Sequence, residues 1–374
     1  MLLSEVLAAL SYALDLTDGQ PPGHTLRTCI VGLRLADELA LPPASRSALY
    51  YALLLKDAGC SSNAARMAAL FGSDDQFVKP RMRIVEHARP LVSALQLARN
   101  VAVGGSWLAR VRQFLHVATA PEAAREMVRI RCDRGAEIAR RLGFPDETAD
   151  AIRSLDEHWS GRGFPEGLRG DAIPLLSRIA LLAQTVEVFF SDRGVDAALD
   201  MARARRGRWF DPRLVDRVLA WRRDSAWWAQ LHSPEILPVV VGAEPHAPAA
   251  PAADADRLDV VARAFADVID AKSPYTFRHS TNVATLARGA ARLLGLSAEE
   301  GRRLHQAALL HDIGKLGVSN LILDKPGRLT PEERAAIERH PLHTWDVLSR
   351  VSAFAGIARS AAMHHEKLDG SGYP

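Results

Sequence analysis

The sequence predicts an all-α protein built from two tandem copies of one helical domain. Three observations carry this: apolar residues recur at the i, i+3, i+4 spacing of helix faces, no long run alternates with period two, and the two halves of the chain align with each other. At 374 residues, 48% hydrophobic and 24% charged, the chain is long enough for two domains of ordinary globular composition. Its 47 basic and 44 acidic residues are too evenly balanced to point to a nucleic-acid partner.

The opening run MLLSEVLAALSYALDL has Glu5 early and no basic flank, so it lacks the form of a signal peptide. Val31, Leu33, Leu35 and Leu39 mark a helix in the first half. The apolar run IALLAQTVEVFF contains Gln184 and Glu187 and is too short to cross a bilayer, so it reads as a buried helix and no membrane partner is expected. RARRGRWF, residues 203–210, is the densest basic run and reads as a solvated helix face. His158, Trp227 and Trp228 read as core or interface. Residues 242–256, GAEPHAPAAPAADAD, are rich in Ala and Pro and lack periodicity, which makes them a linker between a domain at 1–241 and another at 257–374. Beyond it, Val283, Leu286, Ala290, Leu293 and Leu294 form one apolar stripe. Leu304, Ala307, Ala308, Leu309 and Leu310 form a second, on a helix that ends in His311 and Asp312. Cys29, Cys60 and Cys132 form no CxxC pair, which argues against a disulfide framework or zinc ribbon and fits a reducing cytoplasm.

A displacement of 255 residues lays His24 on His279, Leu41 on Leu296, Leu54 and Leu55 on Leu309 and Leu310, Asp57 on Asp312, and Gly59 on Gly314. A displacement of 209 lays Glu157 on Glu366 and GRGFP (161–165) on GSGYP (370–374). The change of register is an insertion in the first copy between Cys60 and Arg131. A tandem duplication follows.

The second copy holds a set of candidate metal ligands in His279, His311, Asp312, His340, His364 and His365. A carboxylate at the end of a buried helix face is costly without a compensating cation. Five of the chain's 13 histidines fall at helix ends in this copy. Neutral imidazole and carboxylate suit iron, manganese, nickel, cobalt or zinc, whereas calcium and magnesium call for a mostly oxygen shell.

YTFRHS (275–280), HDIGKLGVSNLILDKPGRLTPEE (311–333), His340-Pro341 and HHEKLDGSGYP (364–374) together resemble the HD-GYP family of bacterial phosphodiesterases, part of the HD superfamily of metal-dependent phosphohydrolases. The resemblance covers 257–374 strongly and 1–240 as a degenerate copy, and it implies two HD-type helical domains. It assigns His279, His311 and Asp312 to one divalent transition metal ion, and Asp312, His340, His364 and His365 to a second, with iron or manganese foremost. Asp312 bridges the two ions and Lys315 offers a cation to phosphate oxygens. Tyr373, in a Gly-rich turn, can stack on or hydrogen-bond a nucleotide. The expected substrate is a cyclic dinucleotide, cyclic di-GMP first. Asn282 stands where the family usually has arginine. The alternatives are an HD phosphohydrolase of another nucleotide and a non-catalytic regulatory module.

Two departures from the family shape further expectations. The second copy stops at Pro374, without the block that follows GRGFP in the first copy. The sequence therefore reads as truncated, with the first metal short of one aspartate (at the place of Gln184), the apolar faces under the missing helices exposed, and hydrolysis poor. In the first copy Lys56, Cys60, Arg131, Leu155 and Asp156 replace His311, Lys315, His340, His364 and His365, and only His24 and Asp57 survive. That copy is expected to bind no metal and to act as a structural, dimerising or sensing unit, with a homodimer as one assembly it allows.

Overall fold

The computed structural model describes residues 3–83, 99–103, 106–119, 121–245 and 254–374, and among these no strand occurs beyond two isolated bridges. The fold is all-α. Helix α1 (Leu3–Asp18) is apolar around most of its circumference and is accordingly buried on nearly every side. α2 (His24–Glu38) and α3 (Pro43–Leu55) pack on it, α3 opening with Pro43, whose missing N–H costs nothing at a helix start. α4 (Ala64–Phe71), α5 (Asp75–Arg83) and α6 (Trp107–Ala118) occupy the insertion. α7 (Pro121–Arg141) and α8 (Asp146–Arg153) lead to the long α9 (Leu175–Arg205), which is kinked at Gly194 and contains the buried run foreseen around Gln184. α10 (Pro212–Ala220), α11 (Ser225–Gln230) and α12 (Ile236–Gly242) close the first half. Trp228 is buried in this layer, and Arg34 lies over the rings of Trp221 and Trp227.

α13 (Ala255–Asp270), α14 (His279–Leu293) and α15 (Ala298–Leu310) repeat α1 to α3, and after α16 (Asn320–Leu323) and α17 (Pro331–Ile337), α18 (His340–Leu348) and α19 (Ala355–Ala362) repeat the middle of α7 and α8. α15 and α17 each begin with a capping box, Ser297 with Glu300 and Thr330 with Glu333. The repeat extends to single hydrogen bonds. Asp15 accepts from the Thr25 amide (3.0 Å) and hydroxyl (2.7 Å), and Asp270 accepts from the Ser280 amide (3.1 Å) and hydroxyl (2.7 Å).

The linker sequence divides the chain into two copies, and one continuous hydrophobic core includes residues of both halves. Helix α1 packs on the turn Ile313–Gly317 and on α18. Gln76 donates to the carbonyls of Leu16 (3.0 Å) and Leu316 (3.1 Å), and Asp75 accepts from the Asn320 amide (3.0 Å). Of the expected linker, residues 246–253 lie outside the described residues. Its first part is docked rather than free, because buried Glu244 accepts from the Tyr51 hydroxyl (2.7 Å) and the Ser4 amide (3.3 Å). The stripe on α14 is bare over part of its length: Leu286 is 75% and Leu293 91% exposed, whereas Val31, the counterpart of Leu286 on α2, is fully buried in the half where α9 packs against α2.

Candidate metal centre

Helix ends bring the six predicted ligand residues of the second copy together. His279 opens α14, His311 and Asp312 follow the last residue of α15, His340 opens α18, and His364 and His365 follow α19. Gly314 makes the approach possible, since a Cβ there would stand 1.9 Å from the His340 carbonyl oxygen. Thr344 fastens the same crossing, donating to the His311 carbonyl (2.9 Å) and accepting from the Gly314 amide (3.1 Å).

Two groups of possible ligand atoms result, His279 with His311 and Asp312, and His340 with His364 and His365. Asp312 is 1% exposed and faces both. Its Oδ2 lies 3.4 Å from His279 Nε2 and 3.2 Å from His311 Nε2, and its Oδ1 lies 3.4 Å from His340 Nε2 and 3.6 Å from His364 Nε2. The Nδ1 atoms of His311, His340 and His364 each donate to the carbonyl three residues earlier, those of Ala308 (2.8 Å), Ile337 (2.7 Å) and Ala361 (2.7 Å). That bond fixes the tautomer and leaves the Nε2 lone pairs turned inward. His340 and His364 then set lone pair against lone pair at 3.2 Å, beside an Asp312 Oδ1 that accepts no hydrogen bond. Such an arrangement is unfavourable until a cation sits between the atoms, and its imidazole and carboxylate donors fit a divalent transition metal.

Burial alone would raise the Asp312 pKa, but the surrounding imidazoles of His279, His311 and His340 hold its carboxyl far below the usual carboxylate range. Burial lowers His364 to about 4 and also lowers His365, while Asp312 raises His279. Lys315 Nζ lies 2.8 Å from Asp312 Oδ2, within the centre rather than out at its rim. Tyr373 stacks on His365 with ring centroids 4.6 Å apart. Gly372 permits this, because a Cβ would stand 2.4 Å from the His365 carbonyl oxygen. Asn282 is exposed on the first turn of α14. The sequence reading passed over Asp270 and Thr344; Asp270 was findable, since the repeat pairs it with Asp15.

The equivalent place in the first copy is filled by charges of the chain itself. The Lys56 ammonium contacts Asp57 Oδ2 and lies 3.0 Å from His24 Nε2, and Arg131 pairs with Asp156. His24 Nδ1 in turn contacts Glu187, a partner the sequence reading missed. Burial pushes the Glu187 carboxyl upward, but His24 and Arg27 bring it down to about 2. Asp18, Asp57 and Cys60 also lie within 4.8 Å of one another. The Lys56 ammonium on Asp57 already supplies the cation there, which disfavours an ion.

An all-α fold whose helix ends converge on a histidine-aspartate cluster defines the class of HD-type phosphohydrolases. A family profile described as "HD domain" matches residues 116–214 and 263–374. The chain is 43% identical over 374 residues to the 3'3'-cGAMP-specific phosphodiesterase 3 of Vibrio cholerae, covering 100% of this chain and 81% of that protein. It is 42% identical over 101 residues to a cyclic di-GMP phosphodiesterase of Thermotoga maritima, covering 26% of this chain and 27% of that protein. A crystal structure of a cyclic GMP-AMP specific phosphodiesterase of V. cholerae matches it with a TM-score of 0.70 and 39% identity over 98% of this chain and 83% of that one. The chain belongs to the HD-GYP family of the HD superfamily, and its reaction class is metal-dependent phosphodiester hydrolysis.

Proposed function

We propose that this protein hydrolyses a cyclic dinucleotide, 3'3'-cGAMP in preference to cyclic di-GMP, at a two-metal centre formed by the second copy. The observation that carries the centre is Asp312 turning one oxygen to each of two imidazole groups. His279, His311 and Asp312 would hold one ion, and His340, His364 and His365 would hold the other beside the second oxygen of Asp312. Iron or manganese suits this donor set. Bound divalent ions supply Lewis acidity and lower the pKa of water toward neutrality. The imidazoles are oriented by their carbonyl bonds, Asp312 stays ionised, and Lys315 stands close enough to offset charge on a phosphate oxygen. Tyr373 has one face on His365 and its other face for the substrate. Exposed Asn282 sits where it can bear on base choice.

The whole-length relative supports the choice of 3'3'-cGAMP over the cyclic di-GMP that the sequence motifs alone bring forward. The first copy, residues 1–241, serves as a metal-free partner to residues 257–374. Three buried thiols, none in a disulfide, suit a cytoplasmic location; no helix of the described residues is long and apolar enough to cross a membrane.

The test is hydrolysis of both dinucleotides by the full chain reconstituted with manganese or ferrous iron. A higher kcat/KM for 3'3'-cGAMP is expected. The reverse preference would return the substrate to cyclic di-GMP, and binding without turnover by metal-loaded protein would support a receptor module.

A further inference from the structure

The first copy has lost the metal chemistry but kept a hollow. A cavity of about 470 Å³ lies beside the place that corresponds to the catalytic centre of the second copy, with Cys60, Arg131 and Asp156 in its wall at the positions of Lys315, His340 and His365. Its volume falls in the range of roughly 300–1,000 Å³ usual for small-molecule sites. A site that had merely decayed should have closed, because apolar walls without contents forfeit packing on one side.

The lining is mostly apolar and aromatic. Phe164 supplies a planar face and Met67 an adaptable one, while Trp209, packed between the His158 ring (centroids 4.2 Å apart) and the Arg205 guanidinium (4.1 Å from the ring centroid), supplies an aromatic edge. Gln184, 2% exposed on α9, has a side-chain oxygen with no hydrogen-bond partner. A buried amide in that state calls for a donor from outside the protein. The charges in the wall are largely spent: Arg131 on Asp156, and Lys79 on Asp75 at 3.0 Å. Arg125 is the exception, largely exposed, with a 4.0 Å contact to Glu122 and its guanidinium 5.9 Å from the Phe164 ring centroid.

We infer that the first copy is a metal-independent binding site for a planar aromatic small molecule of nucleoside size, carrying at most one negative charge. The ring lies against Phe164 and the edge of Trp209, its polar edge pairs with Gln184, and a single anionic group meets Arg125. A ligand of several negative charges is disfavoured, because the other cations of the wall, Arg131 and Lys79, are already paired with Asp156 and Asp75. The inference stands apart from the phosphodiesterase reading, and either can fail alone.

The experiment uses the full chain, with adenosine, guanosine and their 5'-monophosphates as probes, followed by saturation-transfer NMR and calorimetric titration. Expected is saturable binding of at least one probe that weakens tenfold or more in Gln184→Leu and in Met67→Trp, which fills the cavity, and that persists in Asp312→Ala. Circular dichroism checks that each variant is folded, and Gln184→Leu, close to isosteric, decides if Met67→Trp is not. Absence of saturable binding by all four probes would overturn the inference. So would binding that survives the cavity variants and disappears in Asp312→Ala, since that locates the ligand in the second copy.

Discussion

Asp312 is the residue on which the second copy turns. Each of its oxygens faces a separate pair of imidazoles, so removal of this one side chain should empty both positions together. Elemental analysis of Asp312→Ala is expected to find no bound transition metal, whereas loss of one ion only would show that the carboxylate does not bridge. Lys315 makes a different prediction. Lys315→Ala should keep its metal and lower kcat by about tenfold or more, as expected when a group acts on developing charge. Loss of metal from this variant would instead mean that the 2.8 Å contact with Asp312 is structural. The six candidate ligands were legible because histidine and aspartate at the ends of apolar helices are expensive to place without a purpose. What was not legible is the carbonyl bond that aims each imidazole. It depends on how the preceding turn of helix ends, and any histidine at a helix terminus looks the same in sequence.

At the scale of elements, α5 ties the halves together through a buried charge cluster. Asp75 lies 3.0 Å from Lys79 and 3.7 Å from Lys272, and Lys272, 1% exposed, makes no hydrogen bond through its ammonium. Burial lowers Lys272 from 10.5 to about 8, against the pull of Asp75, with Lys79, Asp74 and Asp324 also facing it. Burial opposes ionisation of Asp75 too, but Lys272 and Lys79 keep its carboxyl below the ordinary value. The unfolded chain holds the Lys272 proton up to about pH 10.5 and the folded chain releases it near 8, so folding carries a penalty that is full below pH 8 and fades as pH rises toward 10.5. Lys272→Met should therefore raise stability at pH 7 by about 1–3 kcal/mol, since Asp75 keeps Lys79 and the Asn320 amide, and the gain should shrink by pH 10. Thermal melts at the two pH values measure this; a variant less stable than the parent at pH 7 would show Lys272 to be a net stabilising partner. The helices themselves were readable from periodicity. The cluster was not, because Asp75 and Gln76 lie in the insertion, where the repeat has no counterpart to compare.

For the whole molecule, the Ala/Pro-rich stretch marks where one copy gives way to the next along the chain, and in space one core runs through both. The reason is α1: apolar on nearly all sides, it can be covered only if the second half closes over the face the first half leaves open. Local pattern marks such a helix as buried but does not say by what. Elemental analysis of the intact chain is expected to give two ions per chain, and a count approaching four would mean that the first copy also binds metal. Chelation should lower the melting temperature of the parent and leave that of Asp312→Ala unmoved, because an ion that binds only the folded chain stabilises it by mass action. Lys56 has no such dependence. An ammonium joined to its own backbone has a fixed effective concentration at Asp57 and His24, whatever the cell contains. Under metal starvation the second copy would lose its ions while the first kept its counter-charge. The two copies thus differ in what the environment can take from them, and only the copy proposed to do chemistry would be exposed to shortage.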